Sequence, residues 1–224
     1  MIFNPNDLDV AAPLKQVLDR AVVVHIRIEG SMPSSTEAMN DLEFHPVTIN
    51  RWGDLAAFFE QHGNPNYCWC MRWRFKSTEF KRLNAAKRRN KLASLVRANI
   101  PIGVLGYHHG KPVGWCSIEP RETYTLLEGS TTLKRIDNLP TWSVVCFFVD
   151  PGLRGQSLSV KLLQAAVTYA VSQGATIIEG YPVEPDQSYR FMGSPSVFEQ
   201  AGFREMGIAK NGRRIVRFLE DESG

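Results

Sequence analysis

The chain has 224 residues, 43% of them hydrophobic and 22% charged, which is the composition of an ordinary globular protein. A chain of this length can bury a core without disulfides or metal ions. The net charge of +3 is too small to indicate a nucleic-acid-binding protein. No stretch approaches the run of about 18 apolar residues that predicts a membrane helix.

The start of the chain and the cysteines predict a location. Residues 1–20 contain several charged side chains and no apolar segment of the kind found in a secretory signal. Cys116 and Cys146 lie in apolar, strand-like runs and are interpreted as small core residues. We therefore expect a reducing compartment and a cytoplasmic protein.

Two regions are predicted, an N-terminal extension at 1–43 and one domain at 44–224. The first half of the domain has apolar patterns that predict a strand, two helices and a hairpin. The strand is at 44–49, the helices are at 51–61, capped by Asn50, and at 78–98, and the hairpin strands are at 103–108 and 112–119.

Residues 120–140 are polar and rich in turn residues, and they predict a long surface loop. After this loop the pattern predicts a strand, a long helix, another strand, a short helix and a final hairpin. The strand lies at 142–149, and the long helix after it ends at about 172. The next strand lies at 175–179 and the short helix at 195–200. The two strands of the final hairpin lie at 203–208 and 215–219. The order predicts an α/β fold with a mixed sheet.

The segment from Val149 to Ser159 carries the clearest chemistry in the sequence. A buried strand ends at a Pro-Gly turn, and a run of small residues opens the next helix. The first turn of a helix has free N–H groups and the positive end of the helix dipole, so small residues there allow a phosphate to approach the backbone. Arg154 adds a positive charge. A plain strand–helix turn capped by Ser157 is the alternative.

This segment resembles the acyl-CoA motif of the GNAT acetyltransferases, whose pattern is Gln/Arg-x-x-Gly-x-Gly/Ala. Arg154 matches the first position, and Ser157 and Ser159 stand at the two glycine positions. Residues 198–203 form a short helix ending in Gly-Phe and resemble a later sequence motif of the same family. The step Val-Gly-Trp at 113–115 resembles the start of the family's third strand. The resemblance implies a mixed, mostly antiparallel central sheet with a splayed strand pair, flanked by helices.

The resemblance also implies an N-acyltransferase in which an amine directly attacks the thioester of acetyl-CoA or another short acyl-CoA. Such a reaction needs positioning, polarisation of the carbonyl and a base for the ammonium proton. No metal ion is implied. The cofactor-binding residues would be Phe147, Phe148, Val149, Arg154, Gly155, Gln156, Ser157, Leu158 and Ser159.

Proton-transfer groups are harder to assign. In many GNAT proteins a tyrosine four residues before the glycine of the Gly-Phe step protonates the leaving thiolate, but Phe198 occupies that position here. We predict Tyr181 as the acid, with Tyr189 as an alternative, and Glu119 as the base, with Glu184 as an alternative. Ordinary core tyrosines and solvated carboxylates are the competing interpretations.

The segment from Tyr67 to Arg74 packs two cysteines, two tryptophans and two arginines into eight residues. Tryptophan and arginine form effective binding surfaces, so we predict that Trp69, Arg72 and Trp73 form one wall of an acceptor pocket. An aromatic plug under the helices is the alternative. A similar Cys-Trp-Cys-Met-x-Trp-Arg segment occurs in a subgroup of GNAT-like proteins. It lacks the second ligand pair of a metal site.

Three other possibilities stay open. A basic run at 81–91 is either a solvated helix face or a rim that attracts an anionic ligand. The chain could instead be a CoA-binding or sensing module without turnover, or a nucleic-acid or protein interaction domain. We expect the partner to be a small-molecule or peptide amine, not a membrane or a nucleic acid, and the sequence leaves a homodimer open.

Overall fold

The computed structural model describes residues 41–154, 157–184 and 188–219. These residues contain one sheet of seven strands in the order β1-β2-β3-β4-β5-β7-β6. Only the β4–β5 pair is parallel, so the predicted mixed, mostly antiparallel sheet is confirmed. The strands are β1 (Leu42–Pro46), β2 (Val104–His108), β3 (Lys111–Pro120), β4 (Trp142–Val149), β5 (Ile177–Gly180), β6 (Arg204–Ile208) and β7 (Arg214–Leu219).

Helices cover both faces of the sheet. They are α1 (Trp52–Gln61), α2 (Gly63–Cys68), α3 (Ser77–Arg82), α4 (Ala85–Arg97), α5 (Thr125–Glu128), α6 (Leu158–Ser172) and α7 (Pro195–Gln200). Cys116 packs in a core with α6 and α7, whereas its neighbour Trp115 packs in a core with α1 and α4. Because alternate strand residues face opposite sides, these are the two faces of one sheet. None of the described helices has both the length and the apolar character needed to span a bilayer.

The first half of the domain differs from the prediction in detail. The helix predicted at 78–98 is two helices, because the side chain of Asn84 accepts a hydrogen bond from the Lys87 amide at 2.9 Å and caps the start of α4. Asn50 is not a cap, since it lies in a 3-10 turn, Ile49–Arg51, that precedes α1. Of the predicted extension at 1–43, residues 1–40 lie outside the described residues, and the predicted boundary at 44 falls within β1.

The region at 120–140 is not the plain surface loop that its polarity predicts. It contains a 3-10 turn, Arg121–Thr123, and helix α5. Tyr124, Leu127 and Leu133 are buried and form a third core with Val145 of β4. Isolated apolar side chains anchor this polar stretch, and a pattern without periodicity does not reveal them.

The two central strands, β4 and β5, diverge. They pair over three positions only, and the last pair is Val144 with Gly180. On its other side β4 contains a β-bulge, because Ser117 pairs with Cys146 and Ile118 pairs with Val144, which leaves Val145 as an extra residue. The bulge therefore lies where β4 leaves β5, and the strand continues to Val149 without a paired strand on that side. This confirms the predicted splayed pair.

Candidate active site

A cavity of about 1120 Å³ lies against the diverging end of β4. Three parts of the chain surround it. The strand contributes Cys146 to Val149, the segment after it contributes Arg154 and Ser159, and the two walls come from residues 67–81 and from Val183 with residues 189–197. The unpaired half of β4 and the predicted anion-binding turn thus open into one space.

The turn after β4 has a defined backbone. The Asp150 carboxylate accepts a hydrogen bond from the Gly152 amide at 2.8 Å, and the Asp150 amide donates to the Val113 carbonyl at 2.9 Å. Ser157, which precedes α6, has a φ of 58° in the left-handed region that glycine adopts freely. A glycine at this position, as in the GNAT pattern, would adopt the same conformation without strain.

The predicted cofactor residues divide into three groups. Phe147, Phe148, Val149, Arg154 and Ser159 line the cavity. Leu158 is instead buried in the core beneath α6, and Ser157 is exposed and does not contribute to the lining. Gly155 and Gln156 lie outside the described residues.

The acceptor wall contains two of its three predicted residues. Arg72 and Trp73 line the cavity, and the Trp73 ring lies 6.1 Å from that of Tyr189 on the opposite wall. Trp73 is only 8% exposed, and its indole Nε1 has no hydrogen-bond partner among the described residues. Trp69 packs between Trp52 and Phe59 in the core and is not a lining residue, so its prediction lacks support.

Three thiols also line the cavity, those of Cys68, Cys70 and Cys146. Burial raises the pKa of the Cys70 thiol, but hydrogen bonds from Cys146 and Trp115 and the charge of Arg74 outweigh burial and hold that pKa below the ordinary value. Burial and the neighbouring Cys70 raise the pKa of Cys68 to about 12. The interpretation of Cys146 as a plain core residue was therefore incomplete.

Glu119, the predicted base, is only 1% exposed and forms an ion pair with Arg74. Arg74 also donates to the Ser117 hydroxyl at 3.3 Å, and that hydroxyl is 3.0 Å from the Tyr124 hydroxyl. Burial lowers the pKa of Arg74, but the Glu119 carboxylate more than offsets this and raises it. Glu119 does not line the cavity, so the structure does not support its role as a base.

Tyr181, the predicted acid, is fully buried. Its hydroxyl donates to Glu179 at 2.6 Å, lies 3.0 Å from the Ser143 hydroxyl and contacts Arg121. Burial and the Glu179 charge raise the pKa of Tyr181 far above its ordinary value. Tyr181 is part of a buried polar network and does not line the cavity, whereas Tyr189, the alternative acid, does.

The charged residues that line the cavity are positive, and the sequence predicted only part of this charge. Four cations line the cavity, and no described lining residue is an aspartate or glutamate. The cations are Arg72, Lys81, Arg154 and Arg190. Of the basic run at 81–91, Lys81 reaches the cavity, but Arg88 is buried and donates to the Tyr67 and Phe80 carbonyls at 2.8 and 2.9 Å. The run is therefore not a uniformly solvated face.

The sheet is split between its two central strands, a left-handed residue precedes a long helix, and a cavity lies at the split, as the resemblance to the GNAT acetyltransferases implies. The model of the acetyltransferase (GNAT) family matches residues 57–191, which is more than half of the chain. The chain therefore belongs to the GNAT acetyltransferase family. The predicted class, an acetyltransferase of the GNAT family, is confirmed.

Solved structures show the same fold. The aminoglycoside acetyltransferase AAC(6')-Ib, solved with coenzyme A and kanamycin, is 17% identical with a TM-score of 0.51, over 80% of this chain and 95% of that one. The protein yncA from Salmonella typhimurium, solved with its cofactor acetyl-CoA, is 15% identical with a TM-score of 0.50, over 83% and 97%. No match to a curated protein sequence was found.

Proposed function

We propose that this chain moves an acetyl group from acetyl-CoA to the amine of a small molecule or peptide, by direct attack inside the cavity. The observation that carries the proposal is the free side of β4. From Val145 to Val149 the strand has no paired neighbour towards β5, and most of this stretch lines the cavity. The amides of a pantetheine arm supply the donors and acceptors that an unpaired strand requires.

The cofactor phosphates have a matching site at the end of the same strand. Helix α6 has 15 residues, and the positive end of its dipole lies at the turn where Arg154 and Ser159 face the cavity. Backbone N–H groups at a helix N-terminus attract anions. In this arrangement the pyrophosphate binds at the turn, and the thioester reaches the bulge at Val145.

The reaction needs few catalytic groups. A bound amine held near the thioester gains most of its rate from positioning. The described lining residues include no carboxylate and no imidazole, but Tyr189 lines the cavity beside Trp73. We assign Tyr189, in place of Tyr181, as the group that protonates the leaving thiolate, and leave the ammonium proton to water.

The experiment is a calorimetric titration of ligand-free protein with acetyl-CoA and with CoA, followed by transfer assays over an amine panel. We expect micromolar binding, and we expect Arg154→Glu to weaken it at least tenfold, since it reverses a charge at the phosphate site. Arg204→Glu is the control, because Arg204 is exposed on β6 and does not line the cavity.

Other outcomes have clear meanings. Tight binding of CoA without transfer to any amine would favour a sensing module. If folded, ligand-free protein does not bind CoA, the transferase proposal is wrong and an interaction domain becomes the better hypothesis. Cys70, Cys116 and Cys146 form no disulfide among the described residues, which fits the reducing cytoplasm that we propose as the location.

A further inference from the structure

The cavity has a strongly one-sided charge. Arg72, Lys81, Arg154 and Arg190 line it, and no described lining residue carries a negative charge. A cleft lined by one sign of charge concentrates ligands of the opposite sign and repels ligands of the same sign. Some of this charge serves the phosphates of the cofactor, so the question is whether all of it does.

The cations of the cavity are also unpaired, unlike the arginines in the core. Arg74, Arg121 and Arg217 each form an ion pair with a carboxylate. By contrast, none of the four lining cations has a described carboxylate within 4.0 Å. Three of the four buried arginines of the described residues are thus neutralised by a carboxylate, and the fourth, Arg88, donates to backbone carbonyls, whereas the cations at the cavity are left to a ligand.

Arg72 lies on a different wall from the phosphate turn. It precedes α3, where its guanidinium donates to the Ser77 hydroxyl at 3.4 Å and lies 5.7 Å from the Phe80 ring centroid. Arg154 lies in the turn after β4, and Ser159 lies in the first turn of α6. The phosphates at the start of α6 therefore account for Arg154 and leave Arg72 for another anionic group.

A second donor lies next to Arg72 in the chain. The indole of Trp73 is more than nine-tenths buried, lines the cavity and has no acceptor for its N–H among the described residues. A buried donor without an acceptor is costly, and such a group calls for an explanation, often a ligand. The ligand that satisfies it must present an acceptor oxygen.

We infer that the acceptor amine also carries a carboxylate, as in an amino acid or an acidic peptide, and that Arg72 and Trp73 bind this carboxylate. This inference rests on the proposed function. The carboxylate holds the acceptor, and its amine attacks the thioester carbonyl: the C–N bond forms, the C–S bond breaks, and the CoA thiolate leaves. Polycationic amines such as aminoglycosides are repelled by the same lining.

The test compares matched acceptors. Transfer is measured with a panel of α-amino acids and acidic dipeptides, each beside its carboxamide, and with kanamycin as the polycation. We expect kcat/KM to be about ten- to a hundredfold higher for the acid than for its amide, since a charge-assisted hydrogen bond is lost in the amide. Equal rates for acids, amides and kanamycin would overturn the inference. A preference for dipeptides over free amino acids identifies the peptide as the source of the carboxylate.

Variants separate the acceptor from the cofactor. Arg72→Gln and Trp73→Phe should raise KM for the acid and leave acetyl-CoA affinity unchanged, and Arg72→Glu should reduce the preference for acids over amides. Arg82→Gln is the matched control, because Arg82 is an exposed cation beside Lys81 that does not line the cavity. Weaker acetyl-CoA binding by Arg72→Gln, with KM for the acid unchanged, would assign Arg72 to the cofactor and refute the inference.

Direct binding distinguishes this inference from the transferase proposal. The same amino acids and peptides are titrated into wild-type protein and Arg72→Gln without acetyl-CoA and in its presence. Binding of acids through Arg72 by a protein that does not bind acetyl-CoA would keep the carboxylate site and reject the transferase. Acetyl-CoA binding and transfer to amides, with no binding of any acid, would keep the transferase and reject the carboxylate site.

Discussion

Arg74 and Glu119 form an ion pair in which both side chains are buried, at 6% and 1% exposure. The pair joins the aromatic segment before α3 to the end of β3. It also connects to the cavity wall, because the Arg74 charge is one of the factors that lower the pKa of Cys70. The carboxylate that the sequence suggested as a base is thus a structural partner.

Breaking this ion pair should lower the free energy of unfolding. Arg74→Met leaves the Glu119 carboxylate buried without its counterion, and we expect a loss of about 3–5 kcal/mol in the free energy of unfolding, measured with urea. The double variant Arg74→Met/Glu119→Leu should recover part of the loss. Arg82→Met, at an exposed position, should change stability by less than about 0.5 kcal/mol. A Glu119→Gln variant with normal stability and normal acetyl-CoA binding but no transfer would restore Glu119 as the base.

Cys70 should react with alkylating agents at lower pH than an ordinary thiol. The Trp115 indole donates to Cys70 Sγ at 2.9 Å, and a lowered pKa means a larger thiolate fraction at a given pH. Iodoacetamide labelling from pH 6 to 9, followed by peptide mass spectrometry, should modify Cys70 first; Cys116, whose pKa is raised by burial, is the internal control. Trp115→Phe should move the labelling profile to higher pH in protein shown to be folded. Labelling of Cys68 ahead of Cys70 would contradict this.

Substitutions of Ser157 test whether the turn before α6 is held in the left-handed conformation. Glycine suits its φ of 58°, so Ser157→Gly should change stability by less than about 1 kcal/mol and preserve acetyl-CoA binding. Ser157→Val places a β-branched side chain in the same conformation, and we expect it to cost about 1–3 kcal/mol and to weaken binding by disturbing the phosphate site. Urea denaturation and calorimetry measure the two effects. Equal behaviour of the glycine and valine variants would show that the turn is not held in this conformation.

A substitution of Gly180 tests the close packing at the point where β5 separates from β4. A Cβ atom there would lie 2.1 Å from the Phe198 ring, which is fully buried against Phe147 and Phe203. Gly180→Ala should therefore lower stability by about 1–3 kcal/mol through overpacking. Adding Phe198→Leu should relieve the clash. Gly53→Ala in α1 is the matched control, since nothing lies within 4 Å of its added Cβ, and it should stabilise the helix slightly.

Local patterns predicted the elements that build the site, because β4, the turn and α6 each have their own signature in consecutive residues. The buried networks were missed because their partners are distant in the chain: Arg121 and Glu179 are 58 residues apart, and only the folded sheet brings them together. Trp69 and Trp73 could not be told apart, since Trp69 and Cys70 adopt left-handed φ values of 49° and 51°, which breaks any helical or strand periodicity. One of the four cations that line the cavity is Arg190, and no sequence motif identifies it as a lining residue.

The early end of the β4–β5 pairing places an edge in the middle of the sheet. Past Val144, β4 presents the kind of open peptide groups that other proteins protect at the margins of a sheet. Here the flanking walls leave access for a slender chain such as pantetheine, which would act as a surrogate strand. Within residues 145–149, the amide hydrogens that point away from β3 should then exchange slowly only when the cofactor is bound. We therefore expect acetyl-CoA to slow the aggregation of the protein, as measured by light scattering.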